Sequence, residues 1–237
     1  MAHDPGSFYD RYWSQRDRPA TEARSRERAR LSVELLRGAG IERGRLLDVG
    51  CGPGWAMEVF ASAGYEAAGV DVSDAAVEEA RRRGLDARAL DVDGTGADLL
   101  ASSLGGPYDA VTLLEVLEHL LDPAEVLDKI QRLLRPGGAL VASLPNEIHL
   151  ARRFSCLLGR LPFGGHRDPH VRHFDRRRAR LLFDEAGLQV RAELPVSIVP
   201  PRRRMLRALL YPAVRAFPGA FALATVYLLE RRPRGQG

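Results

Sequence analysis

The sequence contains only two cysteines, Cys51 and Cys156, among its 237 residues. Two cysteines cannot form a disulfide framework, so a reducing compartment is the simpler expectation. The sequence also lacks a basic stretch followed by the apolar segment of a secretion signal. Its uninterrupted apolar runs are too short to span a bilayer. These features predict a cytoplasmic protein without a transmembrane segment.

Aromatic residues are few, at 7% of the chain, and the positive charge is almost entirely arginine, because Lys129 is the only lysine. Arginines cluster in residues 146–174, where few aromatic side chains accompany them. A stacking platform for bases is therefore not evident. We expect no DNA partner and no bulk RNA binding; the arginines form either a solvated face or contacts to an anionic acceptor.

Short apolar segments alternate with amphipathic ones between residues 45 and 146, which predicts a mostly parallel sheet with helices on both faces. The predicted strands of this part are Arg45–Val49, Glu66–Val70, Asp86–Leu90, Tyr108–Leu114 and Ala139–Leu144. The predicted helices between them are Trp55–Ala63, 73–83 and 123–134. The later part is predicted to hold a helix over Arg176–Ala186 and strands over Leu188–Leu194 and Phe221–Leu229.

This alternation divides the chain into four parts. Residues 1–40 form an aromatic arm and a helix, and 41–146 the Rossmann-like core. Residues 147–174, rich in Arg, His, Gly and Pro, are expected to form a lid over the substrate. Residues 175–237 complete the core and include an irregular insert over 195–220.

A glycine-rich turn, Gly50–Gly54, follows the first predicted strand. Glycines allow a sharp turn and a close approach to a ligand, and the next helix directs its first N–H groups at that ligand. Asp71, at the end of the second strand, lies where a ribose diol would be bound. The spacing is G-x-G-x-G, whereas dinucleotide binding would require G-x-G-x-x-G, and Trp55 takes the place of the third glycine.

The motifs resemble, in order and spacing over residues 45–146, those of the class I S-adenosylmethionine (SAM)-dependent methyltransferases. The matching segments are LLDVGCGPG, GVDVS, ALDVDG, YDAVTLLEVLEHL and LLRPGGALVASLPN. Within that superfamily the chain looks most similar to the ubiquinone-biosynthesis-type O-methyltransferases and related small-molecule enzymes. The resemblance implies a Rossmann-like sheet of seven strands, mostly parallel, with an antiparallel last strand.

The resemblance also implies which residues hold SAM. The glycines would pack against its methionine part, Asp71 would bind the ribose hydroxyls, and Asp91 would hold the adenine edge. The aromatic arm would cover the cofactor, unless its tyrosines merely pack. The implied cofactor-binding residues are Tyr12, Asp48, Gly50, Gly52, Gly54, Asp71, Val72, Asp91, Val92, Leu114 and Glu115.

An E-x-x-E-H sequence follows the fourth strand, beside the expected methyl group. His119, His170 and Glu118 are the candidate catalytic residues, because a hydroxyl acceptor needs a base or a metal to remove its proton. Glu115, Glu118, His119 and His170 could hold a divalent ion such as Mg²⁺ or Mn²⁺. A similar pattern occurs in small-RNA 2′-O-methyltransferases. The alternative is that Glu115 touches the cofactor loop, Glu118 is solvated and His119 packs or acts alone.

Three further patterns carry hypotheses. His149 is another candidate base, and Arg172 with His173 is expected to line the cleft. A zinc site from His166, Asp168, His170 and His173 is the weakest metal hypothesis, since no second pair of strong ligands accompanies it. The Pro200–Pro218 insert could be an amphipathic helix on a membrane surface or at a homodimer contact, or could pack as core or lid.

The function that the sequence favours is SAM-dependent O-methylation of a small-molecule acceptor. Three alternatives stay open: N-methylation of an amine, metal-dependent RNA 2′-O-methylation, and a SAM-binding accessory protein without catalysis.

Overall fold

The computed structural model describes residues 5–15, 18–160, 169–199 and 203–232. Of the residues named above, His166, Asp168 and the first three residues of the Pro200–Pro218 insert lie outside these ranges. The strands are β1 (Gly44–Val49), β2 (Tyr65–Asp71), β3 (Asp86–Ala89), β4 (Tyr108–Leu114), β5 (Leu134–Pro145), β6 (Leu188–Ser197) and β7 (Ala222–Arg231). The helices are α1 (Pro5–Gln15), α2 (Arg18–Gly38), α3 (Trp55–Ser62), α4 (Asp74–Arg82), α5 (Ala97–Leu104), α6 (Pro123–Gln131), α7 (Leu150–Leu157), α8 (Arg176–Glu185), α9 (Arg204–Ala216) and α10 (Pro218–Phe221).

The strands form a single seven-stranded sheet in the order β3-β2-β1-β4-β5-β7-β6. Strands β1 to β5 pair in parallel, and β7 pairs antiparallel with both β5 and β6. The predicted fold, a mostly parallel seven-stranded sheet whose last strand is antiparallel, is confirmed. The five parallel strands end at one edge of the sheet, which is where open α/β sheets bind their ligands.

Alternate side chains of the central strands enter two different cores, as the twofold repeat of a strand requires. In β1, Leu47 packs in a core shared with α6 and α8, whereas Leu46 packs in a core shared with α2 and α3. In β5, Leu140 and Val141 divide between the same two cores. Helices therefore cover both faces of the sheet.

Several predicted boundaries differ from the structure. Strand β5 begins at Leu134 rather than Ala139, because the Pro136-Gly137-Gly138 turn is accommodated as an irregularity between Tyr108 and Ala110 of β4. The helix predicted to reach residue 134 therefore ends at Gln131. The aromatic arm, the segment before β4 and the lid each contain a helix that the pattern did not place: α1, α5 and α7. Helix α9 lies within the Pro200–Pro218 insert, where an amphipathic helix was one of the hypotheses. Among the described helices, none combines the length and apolar character that a membrane crossing requires.

Candidate cofactor and acceptor site

A cavity of about 850 Å³ lies at the carboxyl ends of the parallel strands. Asp48, Asp71, Leu114 and Pro145, at the ends of β1, β2, β4 and β5, line it. Its volume is in the range of pockets that hold small ligands and cofactors. Side chains from α1, α2 and α7 close the other sides.

The glycine turn adopts backbone conformations that favour glycine. Gly50 and Gly52 have φ of 74° and 52°, in the left-handed region. A Cβ on Gly52 would lie 2.7 Å from the Trp13 ring, so the arm packs directly on the turn. Gly50 lines the cavity, whereas Gly52 and Gly54 lie beside it, which the sequence did not distinguish.

Asp71 joins the glycine turn to helix α4. Its Oδ2 accepts from the Gly52 N–H at 2.8 Å and its Oδ1 from the Ser73 N–H at 2.9 Å. Burial raises the pKa of the Asp71 carboxyl, and these N–H donors act in the opposite direction. Val72 beside it lines the cavity. Asp71 thus shapes the turn as well as facing the pocket.

Asp48 is almost fully buried beneath the turn. Thr112 Oγ1 donates a hydrogen bond to Asp48 Oδ1 at 2.5 Å. Desolvation by burial raises the pKa of Asp48 to about 7, although the Thr112 hydrogen bond lowers it. On the adjoining wall, Asp91 and Val92 line the cavity after β3, and Asp91 Oδ1 accepts from the Asp93 N–H at 3.0 Å.

The aromatic arm, helix α1, forms one wall. Tyr9, Tyr12 and Trp13 line the cavity, and the Trp13 ring packs edge-on against Trp55 at 5.8 Å. Asp10 attaches the arm to α4: its Oδ1 accepts from Ser73 Oγ at 2.5 Å and from the Ala75 N–H at 3.2 Å. The arm is placed as the resemblance implied, and whether Tyr12 contacts the cofactor stays a prediction.

Glu115 is turned away from the other predicted metal ligands. It is the only non-glycine described residue with a positive φ, at 60°. Its Oε2 pairs with Arg28 of α2 at 2.9 Å, and its Oε1 accepts from Ser143 Oγ at 2.9 Å. The predicted four-residue metal set is therefore wrong at Glu115, because its carboxylate is bound to an arginine and a hydroxyl on the side of α2.

The other three members of that set do come together. Ligand atoms of Glu118, His119 and His170 all lie within 4.8 Å of one another, and the two imidazole rings are 4.9 Å apart. Glu118 is fully buried, which contradicts the alternative that it is solvated. His119 Nδ1 lies 3.1 Å from the Pro169 carbonyl oxygen, so the lid segment holds this ring. All three side chains line the cavity.

Sequence reasoning missed Glu147, which is buried behind His170. Its carboxylate pairs with Arg152 and lies 3.2 Å from His170 Nδ1. The signal was its place two residues after the end of β5, at the edge where parallel strands present their functional groups. Arg24 and Arg28 of α2 also line the cavity and were not singled out.

The remaining candidate bases are separated by the structure. His149, the residue before α7, is buried against the cavity, and desolvation lowers its pKa, which favours the neutral imidazole. His173 is exposed and does not line the cavity, nor does Arg172, whose side chain donates to the carbonyls of Leu120 and Leu121. The expectation that Arg172 and His173 line the cleft is wrong. Because His166 and Asp168 lie outside the described residues, the separate zinc hypothesis stays an untested prediction.

Comparison with known proteins agrees with this architecture. Residues 12–193 match the family described as the methyltransferase domain. The ubiquinone biosynthesis O-methyltransferase of Pseudomonas aeruginosa is 36% identical over 134 residues, covering 54% of this chain and 58% of that protein. The chain thus spans little more than half the length of the curated relatives that it matches.

Solved structures match nearly the whole chain, among them the two that follow. The magnesium protoporphyrin IX methyltransferase of Synechocystis, with bound S-adenosylhomocysteine, has a TM-score of 0.64 at 18% identity and covers 95% of each chain. The 1,6-didemethyltoxoflavin-N1-methyltransferase of Burkholderia thailandensis has a TM-score of 0.63 at 18% identity, covering 96% of this chain and 86% of that one. At this level of identity the likeness concerns the fold.

Proposed function

The chain belongs to the methyltransferase domain family, with the fold of the class I SAM-dependent enzymes, and from this premise we propose that it transfers a methyl group from SAM to a hydroxyl oxygen of a small-molecule acceptor. The observation that carries the proposal is a single cavity with two chemically different ends. One end is built from the glycine turn and acidic strand ends, and the other holds Glu118, His119 and His170.

The cofactor end suits SAM in shape and polarity. Gly50 allows a ligand to approach the backbone, and Asp71 and Asp91 face the cavity as acceptors for ribose hydroxyls and the adenine amino group. The aromatic arm covers this end and would exclude water from the sulfonium. The same position on the cavity wall supports a cofactor-binding role for six further residues. They are Tyr12, Asp48, Val72, Val92, Leu114 and Glu115.

The other end can remove a proton. Methyl transfer forms an oxygen–carbon bond and breaks the sulfonium–carbon bond, leaving S-adenosylhomocysteine, while the proton of the acceptor hydroxyl must go to a base. His119 and His170 are the imidazoles that share this end with the buried Glu118. We assign them that role, with Glu147 holding His170 through its Nδ1.

A divalent metal would also fit this end, through three residues rather than four. Glu118, His119 and His170 combine one carboxylate with two imidazoles, and a site with three protein ligands leaves a position open for an acceptor oxygen. When bound, such an ion would lower the pKa of that oxygen. Because Glu115 is held by Arg28 and Ser143, the pattern shared with the RNA-modifying enzymes is incomplete, and the RNA alternative loses its support.

The test measures cofactor binding and methyl transfer separately. Titration calorimetry with S-adenosylhomocysteine is expected to show micromolar binding that Asp71→Ala abolishes. Transfer of labelled methyl groups is then assayed on a panel of phenols, carboxylated phenols and amines, with and without EDTA. We expect His119→Ala to lower transfer to hydroxyl acceptors by about 10²–10⁴-fold, and the exposed-site control His173→Ala to leave it unchanged.

Three results would contradict parts of this proposal. A folded wild-type protein that fails to bind S-adenosylhomocysteine would remove the cofactor assignment. Transfer confined to amines and indifferent to His119→Ala would favour N-methylation. Full activity after EDTA treatment would contradict the metal hypothesis, and the proposal that a histidine is the base would stand.

A further inference from the structure

One side of helix α2 forms a wall of the cavity that consists of polar side chains. Thr21, Arg24, Ser25 and Arg28 line the cavity from this helix. They follow one another at the three- and four-residue spacing that places side chains on one side of a helix. We call these four residues the α2 wall. It offers two hydroxyl groups and two guanidinium groups, all of which can donate hydrogen bonds, and it contains no carboxylate.

The α2 wall holds a cation that has no partner. Three arginines line the cavity among the described residues, and two of them have a carboxylate. Arg28 pairs with Glu115, and Arg152 pairs with Glu147. Arg24 is partly buried and has neither a hydrogen bond nor an ion pair within the described part of the chain. Arg28 also retains an unused donor, because its Nε is buried without a hydrogen-bond partner.

The charges around Arg24 leave a positive excess. The charged groups that act on it are Arg28, Glu27 and Glu115. Both carboxylates are already engaged, Glu115 with Arg28 and Glu27 with Arg207 of α9. Burial and repulsion by Arg28 lower the pKa of the Arg24 guanidinium, and the two carboxylates act in the opposite direction. Three arginines therefore share two carboxylates, and a partly desolvated cation that faces a cavity is best satisfied by an anion.

The α2 wall borders the part of the cavity that is left for the acceptor. Glu115, which holds Arg28, follows β4 and accepts a hydrogen bond from Ser143 of β5. The groups at the cofactor end, by contrast, lie at the ends of β1, β2 and β3, with Asp71 and Asp91 among them. Strands β4 and β5 lie on the other side of β1 from β2 and β3. The unpaired cation is thus separated from the carboxylates that would hold ribose and adenine.

We propose that the α2 wall binds an anionic oxygen group of the acceptor, a carboxylate or a phosphate, and that Arg24 is its cationic partner. Both groups accept several hydrogen bonds, and a guanidinium can donate two of them in parallel. Thr21 and Ser25 add hydroxyl donors on the same side of the helix. The acceptor is then held at two points, with its anion at the α2 wall and its hydroxyl at His119 and His170. This inference rests on the proposed function and names its substrate class, a hydroxylated acid or phosphate ester.

The experiment is a set of ligand titrations of the full chain, followed by the NMR shifts of the ¹⁵N-labelled protein saturated with S-adenosylhomocysteine. Saturation fills the site of the cofactor's own carboxylate, so that an added anion reports a second site. The probes are benzoate, phenyl phosphate and neutral benzyl alcohol. Wild-type protein is expected to bind one of the two anions at least about tenfold more tightly than benzyl alcohol, because charge-assisted hydrogen bonds form. Arg24→Gln should abolish this preference, and Arg24→Lys should retain part of it, because the positive charge remains.

The matched control is Arg30→Gln, the same substitution on the same helix. Arg30 is exposed and does not line the cavity, so this variant should keep the wild-type preference. Thermal unfolding of all four proteins checks that they are folded. Wild-type protein without a preference for either anion would overturn the proposal, as would an equal preference in Arg24→Gln.

Titration calorimetry with S-adenosylhomocysteine separates the acceptor from the cofactor. Arg24→Gln is expected to bind S-adenosylhomocysteine with wild-type affinity. A loss of about tenfold or more would overturn the proposal, because Arg24 would then hold the cofactor's carboxylate. Neither measurement needs methyl transfer, and the probe titrations can be repeated without S-adenosylhomocysteine. Failure of this inference and failure of the proposed function are therefore separate results.

Discussion

At the scale of single residues, the site is defined by carboxylates that are removed from water. Asp48, Asp71 and Glu118 are all buried around one cavity. A carboxylate loses much of its hydration when buried, so each needs donors or a raised pKa. Asp71 receives two backbone N–H groups, whereas Asp48 receives one hydroxyl donor and keeps a pKa of about 7. The protonation of Asp48 is therefore coupled to folding.

The substitution Asp48→Asn is expected to change how stability depends on pH. In the folded protein burial raises the pKa of Asp48 from its ordinary 3.8 to about 7. Between these values the unfolded chain has lost a proton that the folded one retains, so stability falls as pH rises through this window and then levels off. Asp48→Asn removes this loss and should be more stable than wild type above pH 7, by roughly 4 kcal/mol at most.

Urea unfolding across the pH range from 4 to 8 measures this difference. The exposed-site variant Asp98→Asn serves as the control and should follow the wild-type curve. If the free energy of unfolding of wild type and of Asp48→Asn varied with pH in parallel, Asp48 would be ionised in the folded protein over this whole pH range.

Which site residues could be read from the sequence depends on the direction in which each side chain points. Residues at or shortly after strand ends, such as Asp71, Asp91 and Glu118, were identified because parallel strands end at one edge. Glu115 follows β4 directly, so the same reasoning placed it at this edge of the sheet. Its positive φ and its pairing with Arg28, however, turn the carboxylate away from Glu118. Arg28 lies on a helix 87 positions earlier in the sequence, so no local sequence pattern could predict that contact.

At the scale of elements, two of the helices that the sequence did not predict, α1 and α7, contribute walls of the cavity. Helices α3, α4, α6 and α8 follow clear turn signals and cap residues, such as Ser73 before α4 and Asp175 before α8. Helices α1 and α7 have no buried residue among those described, because their faces meet the cavity or solvent rather than the core. Hydrophobic periodicity therefore predicted the sheet and its covering helices better than the walls of the site.

The arm α1 offers the clearest prediction at this scale. Asp10 is its hydrogen-bonded link to Ser73 and Ala75 of the α4 terminus. Asp10→Ala should loosen the arm, expose the cofactor end to water and weaken S-adenosylhomocysteine binding by about tenfold, the effect of losing charge-assisted hydrogen bonds. Titration calorimetry measures the affinity, and fluorescence quenching of Trp13 and Trp55 reports arm opening.

Arg11→Ala, on the exposed side of the same helix, is the matched control and should bind as wild type does. If Asp10→Ala bound with unchanged affinity, the arm would not contribute to holding the cofactor.

At the scale of the whole molecule, the number of strands and the antiparallel direction of the last one followed from the resemblance, and the structure agrees. The alternation of apolar segments fixed five parallel strands, while the antiparallel placement of β7 came from the family and not from any periodicity.

Cofactor binding should stabilise the whole domain, because the cavity is built from the ends of five strands and from the arm. S-adenosylhomocysteine at about 100 times its Kd stabilises the folded state by about 2.7 kcal/mol. For a domain of this size that raises the melting temperature by roughly 5–10 °C. Scanning calorimetry checks the shift, with Asp71→Ala as the variant in which it should vanish. The same rise in wild type and Asp71→Ala would place the ligand outside this cavity.

The strand order also bears on how the chain is made. Strand β7 follows β6 in sequence but lies between β5 and β6, so during synthesis the ribosome releases β1 to β5 long before the strand that completes the sheet. Until residues 222–231 emerge, Leu140–Pro145 is an apolar edge whose backbone groups on the side away from β4 have no strand partner. A nascent chain that stalls after β6 would expose this edge to other nascent chains, and a chaperone that binds extended apolar segments would find its site there.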